Sequence, residues 1–287
     1  MIRLRLSLEL DYLVSSPGCD FIFNIHAAHT ARQWVLQERL DVSQNLPLTI
    51  DTDAVTLNRY LRFSARPGPL RVAYSATVDL MHHTEQPANI AEVPVAQLPT
   101  SVLGYINPSR YCQSDRLLHL AAREFGQRQQ GHSRVQGIRD WVLQHTLYTP
   151  NTSTASTSAL DTLIEGVGVC RDFAHLMIAL CRAVNIPARF ATGIDYGAEP
   201  SLGPTDFHAY VEAYLGGRWY MFDPSGRAIP MGFVRFGTGH DAADAAFATI
   251  FGPVLPSSPR ISIEALPGAD GRLMMPWHCP EALSTDG

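Results

Sequence analysis

Cys170 stands where the glycine-punctuated run Gly166-Val167-Gly168-Val169 gives way to the apolar stretch Phe173-Ala174-His175-Leu176, the pattern of a turn feeding a helix. The first turn of a helix presents unbonded N–H groups and the positive end of the macrodipole, so a thiol placed there ionises more readily and becomes a nucleophile. Downstream come His208, in Asp206-Phe207-His208-Ala209-Tyr210, and Asp223, in Trp219-Tyr220-Met221-Phe222-Asp223-Pro224. A thiol, an imidazole and a carboxylate are the groups that acyl transfer uses as nucleophile, general base and orienter. Asp172, in the same helical turn as the cysteine, complements the macrodipole and is placed to hold a loop or shape a substrate groove. Arg171 and Tyr210 flank the two reactive positions and are further candidates for substrate binding or site shaping. His175, farther along the helix, reads as a core or edge histidine, and Cys181 as packing.

The distance between His208 and Asp223 can be worked from spacing. Phe207, Ala209, Val211, Ala213 and Leu215 alternate with His208, Tyr210, Glu212 and Tyr214, then Gly216-Gly217 precedes the strand-like Arg218-Trp219-Tyr220-Met221-Phe222. Two glycines between such runs predict a two-residue hairpin. Leu215 then faces Arg218, Tyr214 faces Trp219, Glu212 faces Met221 and Tyr210 faces Asp223. His208 and Asp223 fall on one face as diagonal neighbours, about 7 to 8 Å apart at the backbone. One more residue in the loop would put them on opposite faces.

These residues need a scaffold, and the chain is long enough for two domains. It has 287 residues, 46% hydrophobic and 17% charged, the composition of a soluble globular protein. Residues 1–98 read as an N-terminal β-sandwich. Ile2, Leu4, Leu6, Leu8, Leu10 and Tyr12 alternate with polar residues, and strand-length runs follow at 20–27, 34–42, 54–64 and 70–80. Proline-rich residues 99–112 read as a linker, and 113–287 as the catalytic domain. In it, Ser114-Asp115 caps a helix carrying Leu117, Leu118, Ala121, Ala122 and Phe125, a second helix lies near 135–146, and the Cys170 helix ends at Asn185-Ile186-Pro187 before a strand at 189–194. The hydroxyl-rich stretch 149–158 is either a loop flanking the nucleophile or a solvated connection. The fold class expected is α+β.

At these residues the sequence resembles the transglutaminase-like superfamily, specifically the bacterial transglutaminase-like cysteine proteases with an N-terminal β domain. The likeness rests on Gly168-Val169-Cys170-Arg171-Asp172-Phe173-Ala174-His175-Leu176, Ile186-Pro187-Ala188-Arg189, Asp206-Phe207-His208-Ala209-Tyr210-Val211-Glu212 and Arg218-Trp219-Tyr220-Met221-Phe222-Asp223-Pro224. It extends through Asn107-Pro108-Ser109-Arg110-Tyr111-Cys112 and more loosely over the first 90 residues. The resemblance implies a papain-like core, the cysteine helix packed on an antiparallel sheet, with Cys170 as nucleophile, His208 as base and acid, and Asp223 as orienter. Arg171 replaces the tryptophan that follows the cysteine in transglutaminases proper, and nothing resembles their additional β domains or calcium sites.

The expected chemistry is attack on an amide or peptide carbonyl through a thioester. Hydrolysis by water is favoured, protein-glutamine transamidation to an amine acceptor is the alternative, and a soluble-thioester acyltransferase or a non-catalytic binding protein are rivals. The partner expected is a peptide or protein substrate. A net charge of −5 with scattered basic residues argues against nucleic acid, and no run of about 18 apolar residues argues for a membrane span. The N-terminus alternates like a strand rather than a signal peptide. Five widely spaced cysteines form neither a disulfide framework nor a CxxC zinc site, and the pairs His82-His83 and His26-x-x-His29 lack acidic or thiol company, so no metal or cofactor is expected. Reduced thiols suit a cytoplasmic location.

Overall fold

Strand alternation in the first hundred residues produces two facing antiparallel sheets. The computed structural model describes residues 1–197 and 206–286. β1 (Ile2–Val14) buries Ile2, Leu4, Leu6, Leu8 and Leu10 on one face, while Arg5 and Ser7 stay exposed on the other. Then come β2 (Cys19–Phe23), β3 (Gln33–Val42), β4 (Thr49–Thr52), β5 (Arg59–Ala65), β6 (Gly68–Leu80) and β7 (His83–Glu85). β1 and β6 pair along their whole length, from Ile2 opposite Leu80 to Val14 opposite Gly68. The inner faces share a core in which Tyr12 packs on Phe21, with ring centroids 5.2 Å apart.

The strand expected over 54–64 starts only at Arg59. Asp53 turns the chain first, its carboxylate accepting N–H bonds from Val55 at 3.0 Å and Thr56 at 2.6 Å. The residues between belong to that turn, and Leu57 takes a φ of 60°.

The second half follows as α1 (Thr100–Leu103), α2 (Leu118–Phe125), α3 (His132–His145), β8 (Leu147–Tyr148), α4 (Ala159–Glu165), β9 (Val167–Gly168) and α5 (Cys170–Ala183), then β10 (Ala188–Asp195), β11 (Phe207–Leu215), β12 (Arg218–Phe222) and β13 (Phe233–Gly239). β10 to β13 form an antiparallel sheet in the order β12-β11-β10-β13. Phe173, Leu176, Met177 and Leu180 of α5 are buried against Phe190, Ala209, Val211, Ala213 and Leu215 of this sheet. Each large apolar side chain so buried contributes about 2 kcal/mol. The opposite face, carrying Tyr210, Met221, Phe233 and Phe236, joins the core of the sandwich. This second sheet is thus a middle layer between helices and the β-sandwich.

The chain departs from a simple division at 113. α6 (Ala242–Ala245) is followed by β14 (Ala248–Phe251), which pairs with β2, and by β15 (Val254–Pro256) and β16 (Arg260–Leu266), which both pair with β1. β17 (Ala282–Ser284) pairs with β7. The late strands complete the first unit's sheets because the outer edge of β1 and one edge of β2 need partners for their N–H and C=O groups. Residues 99–112, expected as a linker, are tied down: Arg182 donates to Asn107 O at 3.1 Å and to Ser109 Oγ at 3.0 Å, and Cys112 is fully buried. No helix among the described residues is long and apolar enough to cross a membrane.

Candidate active site

Cys170 is the first residue of α5, and the two glycines before it have separate tasks. Gly166 ends α4 in the left-handed region at φ 68°. At Gly168 a Cβ would lie 2.7 Å from the Cβ of Asp172, so glycine is what lets that side chain fold back over the turn. Asp172 is fully buried; its Oδ2 accepts the Val169 N–H at 2.9 Å, and its Oδ1 accepts the Ser153 hydroxyl at 2.9 Å. Arg171 stretches over the Tyr111 ring at 4.5 Å and donates to Thr154 O at 3.0 Å. Neighbouring side chains of α5 therefore pin the hydroxyl-rich stretch beside the thiol. That stretch is a wall of the cleft, through Pro150, Asn151, Ser153, Thr154 and Ala155.

The hairpin closes as its spacing requires. Gly216 and Gly217 turn with φ of 56° and 88°, and the ladder runs Leu215–Arg218, Tyr214–Trp219, Glu212–Met221 and Val211–Phe222. His208 Nε2 reaches Asp223 Oδ1 at 3.3 Å, and Cys170 is near enough to the ring to favour its protonated form. The Cys170 Sγ also lies 4.0 Å from Phe207 O. Cys170 and His208 line one cleft of about 870 Å³.

Burial by itself would lower the His208 pKa, but the charge and hydrogen bond of Asp223, together with Cys170, carry it well above its ordinary 6.5. Burial would likewise raise the Asp223 carboxyl, yet His208 and the donors around it hold it down at about 2. Those donors come from the turn that follows: Ser225 N at 3.0 Å and Oγ at 2.7 Å to Oδ1, with Arg227 N at 2.9 Å and Ala228 N at 2.8 Å to Oδ2. Asp223 is thus a buried, fully bonded anion facing an imidazolium. The arrangement can hold a protonated imidazole beside a thiol.

Tyr210 is fully buried beneath the site and does not line the cleft. Its ring meets His208 edge-on with centroids 4.8 Å apart, and its hydroxyl donates to Asp195 Oδ1 at 3.1 Å. Burial pushes the Asp195 carboxyl up to about 7, against the pull of His208. Sequence reading had no signal for Asp195, the last residue of β10. It also missed Gly193, which pairs with His208 at a bulge where a Cβ would lie 1.9 Å from Val234 O. It missed Ser225 as well, although Asp223-Pro224-Ser225-Gly226 is a turn-forming run that could have signalled it.

The other four cysteines lie outside the cleft. Burial pushes Cys112 and Cys181 up to about 12 and raises Cys19 and Cys279. His175 is buried between the Tyr111 and Phe190 rings, with Nε2 accepting the Ala242 N–H at 3.1 Å. Among the described residues no three His, Cys, Asp or Glu side chains converge as metal ligands do. The chain's last segment lies away from the cleft: residues 278–283 border a separate cavity of about 220 Å³ behind Asp223.

Residues 119–224 match the transglutaminase-like superfamily, and residues 2–101 match the bacterial transglutaminase N-terminal domain. A crystal structure of a candidate cysteine protease from Cytophaga hutchinsonii superposes with a TM-score of 0.91 at 37% identity, over 99% of this chain and 97% of that one. The chain belongs to the transglutaminase-like superfamily, with the bacterial N-terminal domain. Uncharacterized protein ML0607 of Mycobacterium leprae (strain TN) is 27% identical over 146 residues, 49% of this chain, and the match spans about half (52%) of that relative's length. The periplasmic domain of TgpA from Pseudomonas aeruginosa superposes with a TM-score of only 0.39 at 17% identity, over 78% of this chain and 91% of that one. Membership supports cysteine-based catalysis at the level of the superfamily.

Proposed function

We propose that the protein is a Cys-His-Asp peptidase or amidase. The observation that carries this is the convergence of Cys170 at a helix start, His208 in a strand and Asp223 just past the next strand, with Asp223 buried and bonded as an anion. The Cys170 thiolate adds to the carbonyl carbon of an amide while the main-chain N–H of Cys170, at the helix start, supports the oxyanion. The C–N bond breaks as the His208 imidazolium gives its proton to the leaving amine. Water then attacks the thioester, His208 takes its proton, and the C–S bond breaks to release the acid and restore the thiolate. Asp223 holds the ring by Nε2, which leaves Nδ1 for the sulfur. Arg171 and Asp172 act by fixing the cleft wall, and Tyr210 by propping the imidazole.

Hydrolysis is preferred because it needs only water at the thioester, whereas transamidation needs an amine channel that keeps water out. Alkylation by iodoacetamide at pH 6.5, read by peptide mass spectrometry, tests the nucleophile. Cys170 should be labelled ahead of Cys19, Cys112, Cys181 and Cys279, and His208→Ala should remove that lead. A Cys170 no faster than an ordinary thiol would end the enzymatic proposal. A glutamine peptide incubated with and without an added amine then separates the two reactions: deamidation in both supports hydrolysis, and an amine adduct alone overturns it.

A further inference from the structure

β14 is an outer strand whose open edge borders the cleft that holds Cys170. The sheet order β14-β2-β5-β4 gives it one partner among the described residues, and Ala248, Thr249 and Ile250 line the cleft. Main-chain parity shows which groups look outward. Asn24 N–H donates to Phe247 O at 3.0 Å, so that facing pair is hydrogen-bonded, and in an antiparallel ladder the bonded pairs alternate. Thr249 and Phe251 therefore bond to Ile22 and Asp20, while the N–H and C=O groups of Ala248 and Ile250 turn away from β2. Those groups make no hydrogen bond among the described residues.

Outer strands are normally shielded by charge or proline. The other outer strands of the two sandwich sheets follow that rule: β3 carries Glu38, Arg39 and Asp41, β4 carries Asp51, β15 ends in Pro256 and β16 carries Arg260 and Glu264. β14, Ala-Thr-Ile-Phe, has neither device. The residues leading into it, Ala242, Ala243, Ala245 and Ala246, are small and line the same cleft. Phe247 stacks on Phe207 at 4.1 Å, and Phe207 O is the atom near the Cys170 sulfur.

The geometry points to β14 as a docking strand for an extended peptide arm of the substrate, which adds to the open edge at Ala248 and Ile250 and lays small or apolar side chains against the alanine wall. This deepens the acyl-transfer proposal and rests on it. The ligand is unfolded chain rather than a folded surface, because strand addition needs a free main chain.

Acetyl-Ala chloromethyl ketone, acetyl-Ala-Ala-Ala chloromethyl ketone and the tripeptide reagents N-methylated at one residue at a time are the probes, with iodoacetamide as the small-reagent reference. The rate of Cys170 alkylation should rise at least roughly tenfold from one residue to three, as two or more main-chain bonds form. N-methylation should slow the reaction at one residue and not at its neighbour, since successive N–H groups of a strand point to opposite sides. Ala248→Pro removes an outward N–H and no ladder bond to β2, so it should lower the ratio of tripeptide to iodoacetamide rates by roughly two- to tenfold. No gain with length, or equal slowing at every methylated position, overturns the docking strand. A protein that is dimeric at micromolar concentration and monomeric as Ala248→Pro gives the edge to a second copy and overturns it too. If iodoacetamide does not single out Cys170, the catalytic proposal itself falls; if it does and the peptides gain nothing, only the docking strand falls. The methylated series runs on the unaltered protein and decides the question even if Ala248→Pro does not fold.

Discussion

Asp223→Asn changes almost no volume and removes one negative charge, and the structure allows its cost to be worked out. The carboxylate offers two acceptors: Oδ1 to Ser225 and His208, Oδ2 to the N–H groups of Arg227 and Ala228. An amide has one oxygen, so whichever way it turns its NH2 group faces donors. A folded pKa of about 2 against an ordinary 3.8 means that folding favours the ionised form by about 2 kcal/mol. Losing hydrogen bonds to a charged acceptor costs about 1.5 to 3 kcal/mol each, and because those bonds help depress the pKa the figures overlap. The expected destabilisation is about 3 kcal/mol at pH 5.5. Its pH dependence has a definite sign. The depressed Asp223 contributes fully above 3.8 and loses its contribution as pH falls through about 2. The raised His208 contributes fully below 6.5 and loses its contribution as pH rises through its higher folded value. The gap between parent and variant should therefore be widest between these limits, about 1 kcal/mol narrower at pH 3 than at pH 5.5, and narrower again in strong alkali. Urea unfolding followed by tryptophan fluorescence at pH 3, 5.5 and 9.5 measures it. A gap of equal size at pH 3 and pH 5.5 would refute the buried ion pair.

Asp172→Ala should cost about 2 kcal/mol by stripping the Val169 N–H and the Ser153 hydroxyl of their acceptor, and proteinase K should then nick the chain faster within 149–158. Gly193→Ala should destabilise by about 3 kcal/mol or more in thermal unfolding, because the added Cβ cannot share space with Val234 O. Asp286→Ala should lower the melting temperature, with a cost of about 2 kcal/mol: Arg189 and Arg235 both pair with that carboxylate, and without it both lean on Glu212 alone.

The features that could be read from the sequence were those set by neighbours in the chain. The hairpin register follows from two glycines and strict alternation, and it placed His208 and Asp223 on one face. The apolar stripe after Cys170 announced a buried helix. Features that depend on distant segments carried no such signal. Nothing near Ala248, Leu255 or Ile261 says that these residues finish sheets begun by β1 and β2, so the boundary drawn at 113 follows the chain and not the packing. The run 54–64 alternated well enough to read as one strand, but Asp53 capped a turn that broke it. The donors around Asp223 were half visible in Ser225-Gly226, while the bulge at Gly193 arises from contact with β13, some forty residues on.

The layout of β1 sets an order of events at the ribosome. β6 covers one edge of this strand, but its other edge is completed only by Val254–Pro256 and Arg260–Leu266. At about 5 to 20 residues per second, translation from Val14 to Leu266 takes roughly 10 to 50 s, during which a leucine-rich strand edge is open to any other growing chain. Chains truncated between residues 224 and 253 keep that edge open for good, and they should clump even though Cys170, His208 and Asp223 are all present.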